Sequence, residues 1–274
     1  MHVTSKTISE AVDQTGLRSL QLMVHSSLRS FGWVLGGARS VIEGLLDQGC
    51  TVMVPTMTTP LYQITPPDDD RPSRNGIDYE TYLSDQTMTK KIYSPESNLI
   101  NKSMGSIPKW VLGMKNRYRG NHPCQSFTAV GSRAAELVAD QSPLDVYNPI
   151  KKLSCSGGLI VLMGVGLTRM TALHLAEEMA GRNLFRRWAQ GTNGPIRVAI
   201  GGCSEGFDKL DAALSPIEQT LVVGESLWRI FSVSDLLNSA SKAIQRDPMV
   251  THCDKNICLH CDDAVAGGPL TATK

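Results

Sequence analysis

The chain has 274 residues, is 41% hydrophobic and 19% charged, and sets 27 Lys and Arg against 26 Asp and Glu for a formal net charge of +1. This is the make-up of an ordinary globular protein, long enough to bury a substantial core. It excludes the basic excess of a nucleic-acid binder and any apolar run of bilayer length, and the polar opening Met1-His2-Val3-Thr4-Ser5-Lys6 lacks the apolar region of a secretory signal.

The first predicted strand, Leu20-Gln21-Leu22-Met23-Val24, ends at His25-Ser26-Ser27 and opens into a loop through Gly32, Gly36 and Gly37. Val41, Ile42, Leu45 and Leu46 then fall at helical spacing before Gly49, and Thr51-Val52-Met53-Val54 predicts a second strand closed by Pro55. Such a β-α-β unit favours a parallel sheet with right-handed connections. Residues 58–82 are polar, proline-rich and aperiodic, as in a functional or a mobile loop. Ile92 to Met104 and Ile107 to Met114 read as helical pieces, Arg119-Gly120-Asn121-His122-Pro123 as a basic turn, and Ser132 to Asp140 as a helix. The apolar run Leu159 to Met163 closes with Gly164-Val165-Gly166 ahead of a helix through His174, Ile196 to Ile200 predicts a strand ending in Gly201-Gly202-Cys203-Ser204-Glu205, Leu221 to Val223 another strand, and Ser234 to Arg246 a late helix. Neither a repeat nor a linker divides the chain. Residues 1–274 are therefore expected to form one α/β domain. Its central, largely parallel sheet is flanked by helices, with an inserted helical and loop lobe over Thr58–Met114 and a cysteine-containing tail over Thr251–Lys274.

In open parallel sheets ligands bind outside the carboxyl ends of the strands, where His25, Thr56 and the Gly164 to Gly166 turn are expected. The run Thr171-Ala172-Leu173-His174-Leu175-Ala176-Glu177-Glu178 adds chemistry there. Carboxylates three and four residues beyond an imidazole share its helix face, so one of them can fix the tautomer of a general base. The same spacing is also a common solvated pair.

The seven cysteines are an odd number in a chain without an export signal, so reduced thiols and a cytoplasmic location are expected. Cys253, Cys258 and Cys261, flanked by His252 and His260, form C-x4-C-x2-C. This offers three thiols but matches no standard zinc module, and without a second C-x-x-C no metal is expected.

Several segments together carry a family resemblance: Val24-His25-Ser26-Ser27-Leu28-Arg29 with Gly36-Gly37, Val52-Met53-Val54-Pro55-Thr56, Met104-Gly105-Ser106-Ile107-Pro108, Arg119-Gly120-Asn121-His122-Pro123 with Ser126-Phe127, and Thr171-Ala172-Leu173-His174-Leu175-Ala176-Glu177. In this order the chain resembles the aminoglycoside 3-N-acetyltransferases, antibiotic acetyltransferases whose fold is distinct from that of the common N-acetyltransferase superfamily. The resemblance implies transfer of acetyl from acetyl-CoA to the 3-amino group of an aminoglycoside, conferring resistance. It also implies direct transfer in a ternary complex, with His174 as general base and Glu177, rather than Glu178, as its partner.

The co-substrate, acetyl-CoA, is then expected at His25, Ser26, Ser27, Leu28, Arg29, Gly36, Gly37, Ser106 and Ile107, with Arg117 and Arg119 as further candidates for its phosphates. Aminoglycosides are polycations, so carboxylates should line their site; Asp78, Glu80, Glu178 and Glu205 are the candidates. Acetylation of another amine metabolite fits the same pattern, and so does a covalent acyl-enzyme or hydrolase with Cys203 or Ser27 as nucleophile. Neither nucleic acid nor membrane is expected as a partner, and a homodimer is compatible with the sequence.

Overall fold

The computed structural model describes residues 2–84 and 91–270, so 85–90 of the expected inserted lobe and 271–274 of the expected tail lie outside the described residues. Helix α1 (Ser5–Thr15) starts at a capping box in which Thr4 and Thr7 satisfy each other's backbone amides, and it ends at Gly16, whose φ of 70° makes the left-handed stop. Strand β1 (Gln21–Ser26), helix α2 (Ala38–Leu46) and strand β2 (Thr51–Pro55) follow as the expected unit. Next come α3 (Tyr79–Ser84), α4 (Ser106–Leu112), β3 (Tyr118–Arg119), β4 (Phe127–Val130), α5 (Ala134–Val138), α6 (Asn148–Cys155), β5 (Leu159–Met163) and α7 (Ala172–Met179). The chain continues with β6 (Phe185–Gly191), β7 (Gly194–Ile200), α8 (Asp211–Leu214), β8 (Gln219–Val223), β9 (Ser226–Ser232), α9 (Val233–Arg246) and α10 (Leu259–Val265).

Seven strands form one sheet in the order β3-β4-β2-β1-β5-β9-β8. The centre is parallel, Leu22 of β1 standing between Val52 of β2 and Leu159 of β5, and the outer strands join it antiparallel. Alternation along the central strands divides the core in two. Met23, Met53, Ile160 and Leu162 face α5, α6, α7 and α9, while Leu22, Val24, Val52, Val54, Val161 and Met163 face α1, α2 and α4. These strands are buried on both sides, which is why they read as continuous apolar runs.

Hairpin β6–β7 stands apart as a two-stranded sheet, and the proline-rich segment is fastened to it. Ile64 N donates to Trp188 O at 2.9 Å, Asn75 brackets the backbone of Arg186, and Asp70 accepts from Trp188 Nε1 at 2.8 Å and Arg197 Nε at 2.6 Å. That segment is thus held against the hairpin by backbone and side-chain bonds.

Residues 92–101 are not the expected helix; only a 3-10 turn at Lys102–Met104 forms. The reason is that two arginines take the carbonyls a helix would use. Arg117 donates to Pro95 O and Glu96 O at 3.0 Å each, and Arg119 donates to Ser97 O at 2.6 Å and Leu99 O at 2.9 Å. Arg117 and Arg119 therefore brace the chain instead of presenting guanidinium groups for phosphates, which corrects the expectation for both. Among the described residues no helix is long and apolar enough to cross a membrane.

Candidate active site

A cavity of about 710 Å³ opens at the carboxyl ends of β1, β2 and β5, within the usual size range of small-molecule sites. The end of β1 contributes His25, Ser26, Ser27, Leu28 and Arg29, and β2 contributes Pro55 and Met57 just beyond it. The start of α4 brings Gly105 and Ser106, and the turn from β5 into α7 brings Gly164, Arg169 and His174. Gly164 has no freedom to be another residue, because its φ is 65° and a Cβ there would stand 1.9 Å from Ser30 Oγ.

His174 lies in the first turn of α7, and its Nδ1 is 2.8 Å from Glu177 Oε2, the i,i+3 neighbour read from the sequence. The second carboxylate oxygen accepts from Arg182 Nη1 at 2.5 Å and from Thr251 Oγ1 at 3.2 Å. Arg182 is itself fixed by Thr251 Oγ1 at 2.7 Å and Pro248 O at 2.5 Å. His174, Glu177, Arg182 and Thr251 are all less than a tenth exposed, so these charge-assisted bonds work where water competes little. The imidazole packs between Tyr147, nearly parallel at 6.3 Å, and Phe207, tilted at 4.8 Å. With Nδ1–H donated to the carboxylate, Nε2 carries the lone pair and has no hydrogen-bond partner among the described residues.

Gly201 closes the far side of this arrangement. A Cβ there would stand 2.5 Å from both the imidazole carbons and the Tyr147 hydroxyl, while its amide donates to Gln125 Oε1 at 3.2 Å. Burial pushes the Tyr147 hydroxyl well above its ordinary value, and the negative charge of Glu177 acts in the same direction, so it stays a neutral wall.

His25 and Ser26 present a different situation. His25 Nε2 and Ser26 Oγ are buried on the pocket wall with no hydrogen-bond partner, and burial drives the His25 imidazole down to about 3, leaving it neutral. Arg29 and Arg169 supply positive charge to the same lining, and it contains no carboxylate among the described residues.

The other expected ligands are placed elsewhere. Gly36 and Gly37 form the turn that starts α2, with Gly37 N bonded to Val34 O, and they do not line the cavity. Ile107 is 1% exposed and points into the core beneath Ser106. Asp78 caps its own turn by accepting from Glu80 N and Thr81 Oγ1, while Glu178 faces Lys151 at 3.8 Å. Glu205 follows the lining residue Ser204 but is exposed, and Glu80 is also outside the lining. The acidic wall therefore does not belong to this cavity, whose positive lining suits an anion. Sequence reasoning missed Arg169, Arg182, Thr251, Gln125, Tyr147 and Gly201. Only Gly201, in a Gly-Gly pair at a strand end, left a local signal.

Known enzymes share this architecture. The family model described as aminoglycoside 3-N-acetyltransferase matches residues 23–245, and the chain belongs to that family. Aminoglycoside N(3)-acetyltransferase IX of Micromonospora chalcea is 30% identical over 187 residues, 65% of this chain and 63% of that one. The SPbeta prophage-derived aminoglycoside N(3')-acetyltransferase-like protein YokD of Bacillus subtilis (strain 168) is 29% identical over 182 residues, 64% of each chain. The chain thus matches a little under two thirds of the length of these two relatives. Among solved structures, the apoenzyme of aminoglycoside acetyltransferase AAC(3)-IVa superposes with a TM-score of 0.74 at 22% identity, over 97% of this chain and 98% of that one. AAC-IIIb, solved as a binary complex with CoASH, superposes at 0.72 with 19% identity over 90% and 97%. These two likenesses show a shared fold.

Proposed function

We propose that the protein acetylates the 3-amino group of aminoglycosides with acetyl-CoA, and so confers resistance, by direct transfer in a ternary complex. The observation that carries this reading is the buried His174–Glu177 pair in the lining of a cavity whose wall carries Arg29, Arg169 and the unpartnered polar atoms of His25 and Ser26. Family membership supports the reaction class, and the CoASH bound to AAC-IIIb supports the co-substrate. His25 Nε2, Ser26 Oγ, Arg29 and Arg169 fit an anionic, amide-bearing thioester such as acetyl-CoA. A variant of AAC(3)-IVa was solved in complex with apramycin, which supports an aminoglycoside as the acceptor class.

In this reading an ammonium group binds, loses one proton to solvent, and its free amine attacks the thioester carbonyl carbon. As the carbon–nitrogen bond forms, His174 Nε2 takes the second proton and Glu177 holds the imidazolium through Nδ1–H. The carbon–sulfur bond breaks, CoA leaves as thiolate, and the imidazolium or solvent reprotonates it. Arg182 and Thr251 keep the carboxylate aimed at His174.

A covalent route through Cys203 has less support. Burial pushes that thiol up to about 11, which disfavours the thiolate near neutral pH, and among the described residues no hydrogen bond joins His174 to Cys203 or Ser27. Incubating the protein and acetyl-CoA with a panel of aminoglycosides tests the proposal. Free thiol should appear together with product heavier by one acetyl group, whereas silence across the panel would reassign the acceptor to another amine.

A further inference from the structure

Four cysteines that are scattered in the sequence converge at one point of the fold. The Sγ atoms of Cys203, Cys253, Cys258 and Cys261 all lie within 4.8 Å of one another. Three come from the C-terminal segment, and the fourth arrives on the turn that leaves β7, a partner no spacing rule would supply. We propose that these four thiols form a tetrahedral zinc site that ties the C-terminal segment to the floor of the active site.

Geometry and chemistry both favour it. A tetrahedral zinc tetrathiolate with bonds of about 2.3 Å sets its sulfurs roughly 3.8 Å apart, so closure asks for movements on the order of 1 Å or less. Cys253 N donates to Cys261 Sγ at 3.4 Å, an outer hydrogen bond of the kind that supports a ligating thiolate. Cys258 and Cys261 form the C-x2-C element at the start of α10, with Cys261 N bonded to Cys258 O at 2.8 Å. Cys253 and Cys261 are buried and Cys203 and Cys258 half-buried, which leaves an entry path. Binding replaces the four thiol protons by one divalent ion, with no change of oxidation state.

The consequence reaches the reacting groups through their supports. Cys203 stands two residues beyond Gly201, which packs on His174, and it is flanked by Gly202 and Ser204, both part of the pocket lining. Cys253 stands two residues beyond Thr251, which holds Glu177 and Arg182. A metal joining the two segments fixes both sides of the dyad from outside. Metal here is structural; it touches no substrate.

Elemental analysis of the untagged wild-type protein, purified under reducing conditions, should find about one zinc per chain. Cobalt exchanged into the site should show the near-ultraviolet thiolate-to-metal and red-visible bands of a tetrahedral thiolate centre. Cys258→Ser should lose both, while Cys155→Ser, at an exposed thiol outside the cluster, should keep them. Stripping zinc with a strong chelator should lower Tm and be reversed by zinc. Zinc below about a tenth of an equivalent in wild type, absence of the cobalt bands, or an intact mass showing disulfides among these cysteines would overturn the site. An unchanged Tm after stripping would overturn its bracing role. Neither readout depends on turnover, so failure of the acetyltransferase reading and failure of the zinc site are separable.

Discussion

His174 gains its meaning from what surrounds it. A histidine three residues before a glutamate is common on solvated helices, but here both groups are buried and the far side of the carboxylate is occupied by Arg182 and Thr251. Gly201 tests this packing at the scale of one methyl group. Gly201→Ala would put a Cβ 2.5 Å from the imidazole and from the Tyr147 hydroxyl, so the ring must move. Displacement of a catalytic group by about 1 Å can cost on the order of 100-fold in rate. Steady-state assays of a folded Gly201→Ala protein should therefore show kcat reduced by at least about tenfold; wild-type turnover would mean that the ring has room to spare. The His174–Glu177 pair was legible because it is local. Arg182 and Thr251 were not, since they meet each other across 69 positions.

At the scale of elements, the helices on one face of the sheet hold α7 in place. Leu236 of α9 is fully buried in the same cluster as Leu173 and Leu175 of α7. Leu236→Ala should cost about 2–5 kcal/mol, the usual range for a buried leucine. Urea unfolding checks the loss, and a cost below about 0.5 kcal/mol would show that this layer is loosely packed. Elements buried on both faces were readable, as β1, β2 and β5 show. Others were hidden by composition. α1 buries only Ile8, Ala11 and Val12 along eleven residues, too sparse a stripe to stand out. β6 carries Arg186 and Arg187 and resembles a solvated run, yet Arg187 is 3% exposed, bonded to Asn75 O and Arg186 O and set over the Tyr82 ring. The expected helix over Ile92 to Met104 failed because distant guanidinium groups claimed its carbonyls, a tertiary effect that no local pattern carries.

For the molecule as a whole, buried neutral histidines couple stability to pH. Burial lowers His25 to about 3 and His122 to about 4 from an ordinary 6.5, and His122 is also locked as an acceptor from Cys124 N and Gln125 N. Both protonate near 6.5 in the unfolded chain but stay neutral in the fold. Their contribution is therefore complete above pH 6.5 and is lost as pH falls toward 4, at up to about 1.4 kcal/mol per pH unit for each. Unfolding midpoints should hold from pH 7.5 to about 6.5 and then fall between 6.5 and 5; a flat or rising profile below 6.5 would contradict the buried neutral state. Function draws on the same whole. The parallel centre of the sheet sets β1 and β5 so that a polar, positively charged cavity meets the histidine of α7, and the proposed acetyl transfer takes place where they meet. His174→Ala tests this most directly. Acetyl-CoA should bind as to wild type, by calorimetry, while kcat for aminoglycoside acetylation falls at least about 100-fold; turnover within a few-fold of wild type would contradict the assignment of His174 as the base.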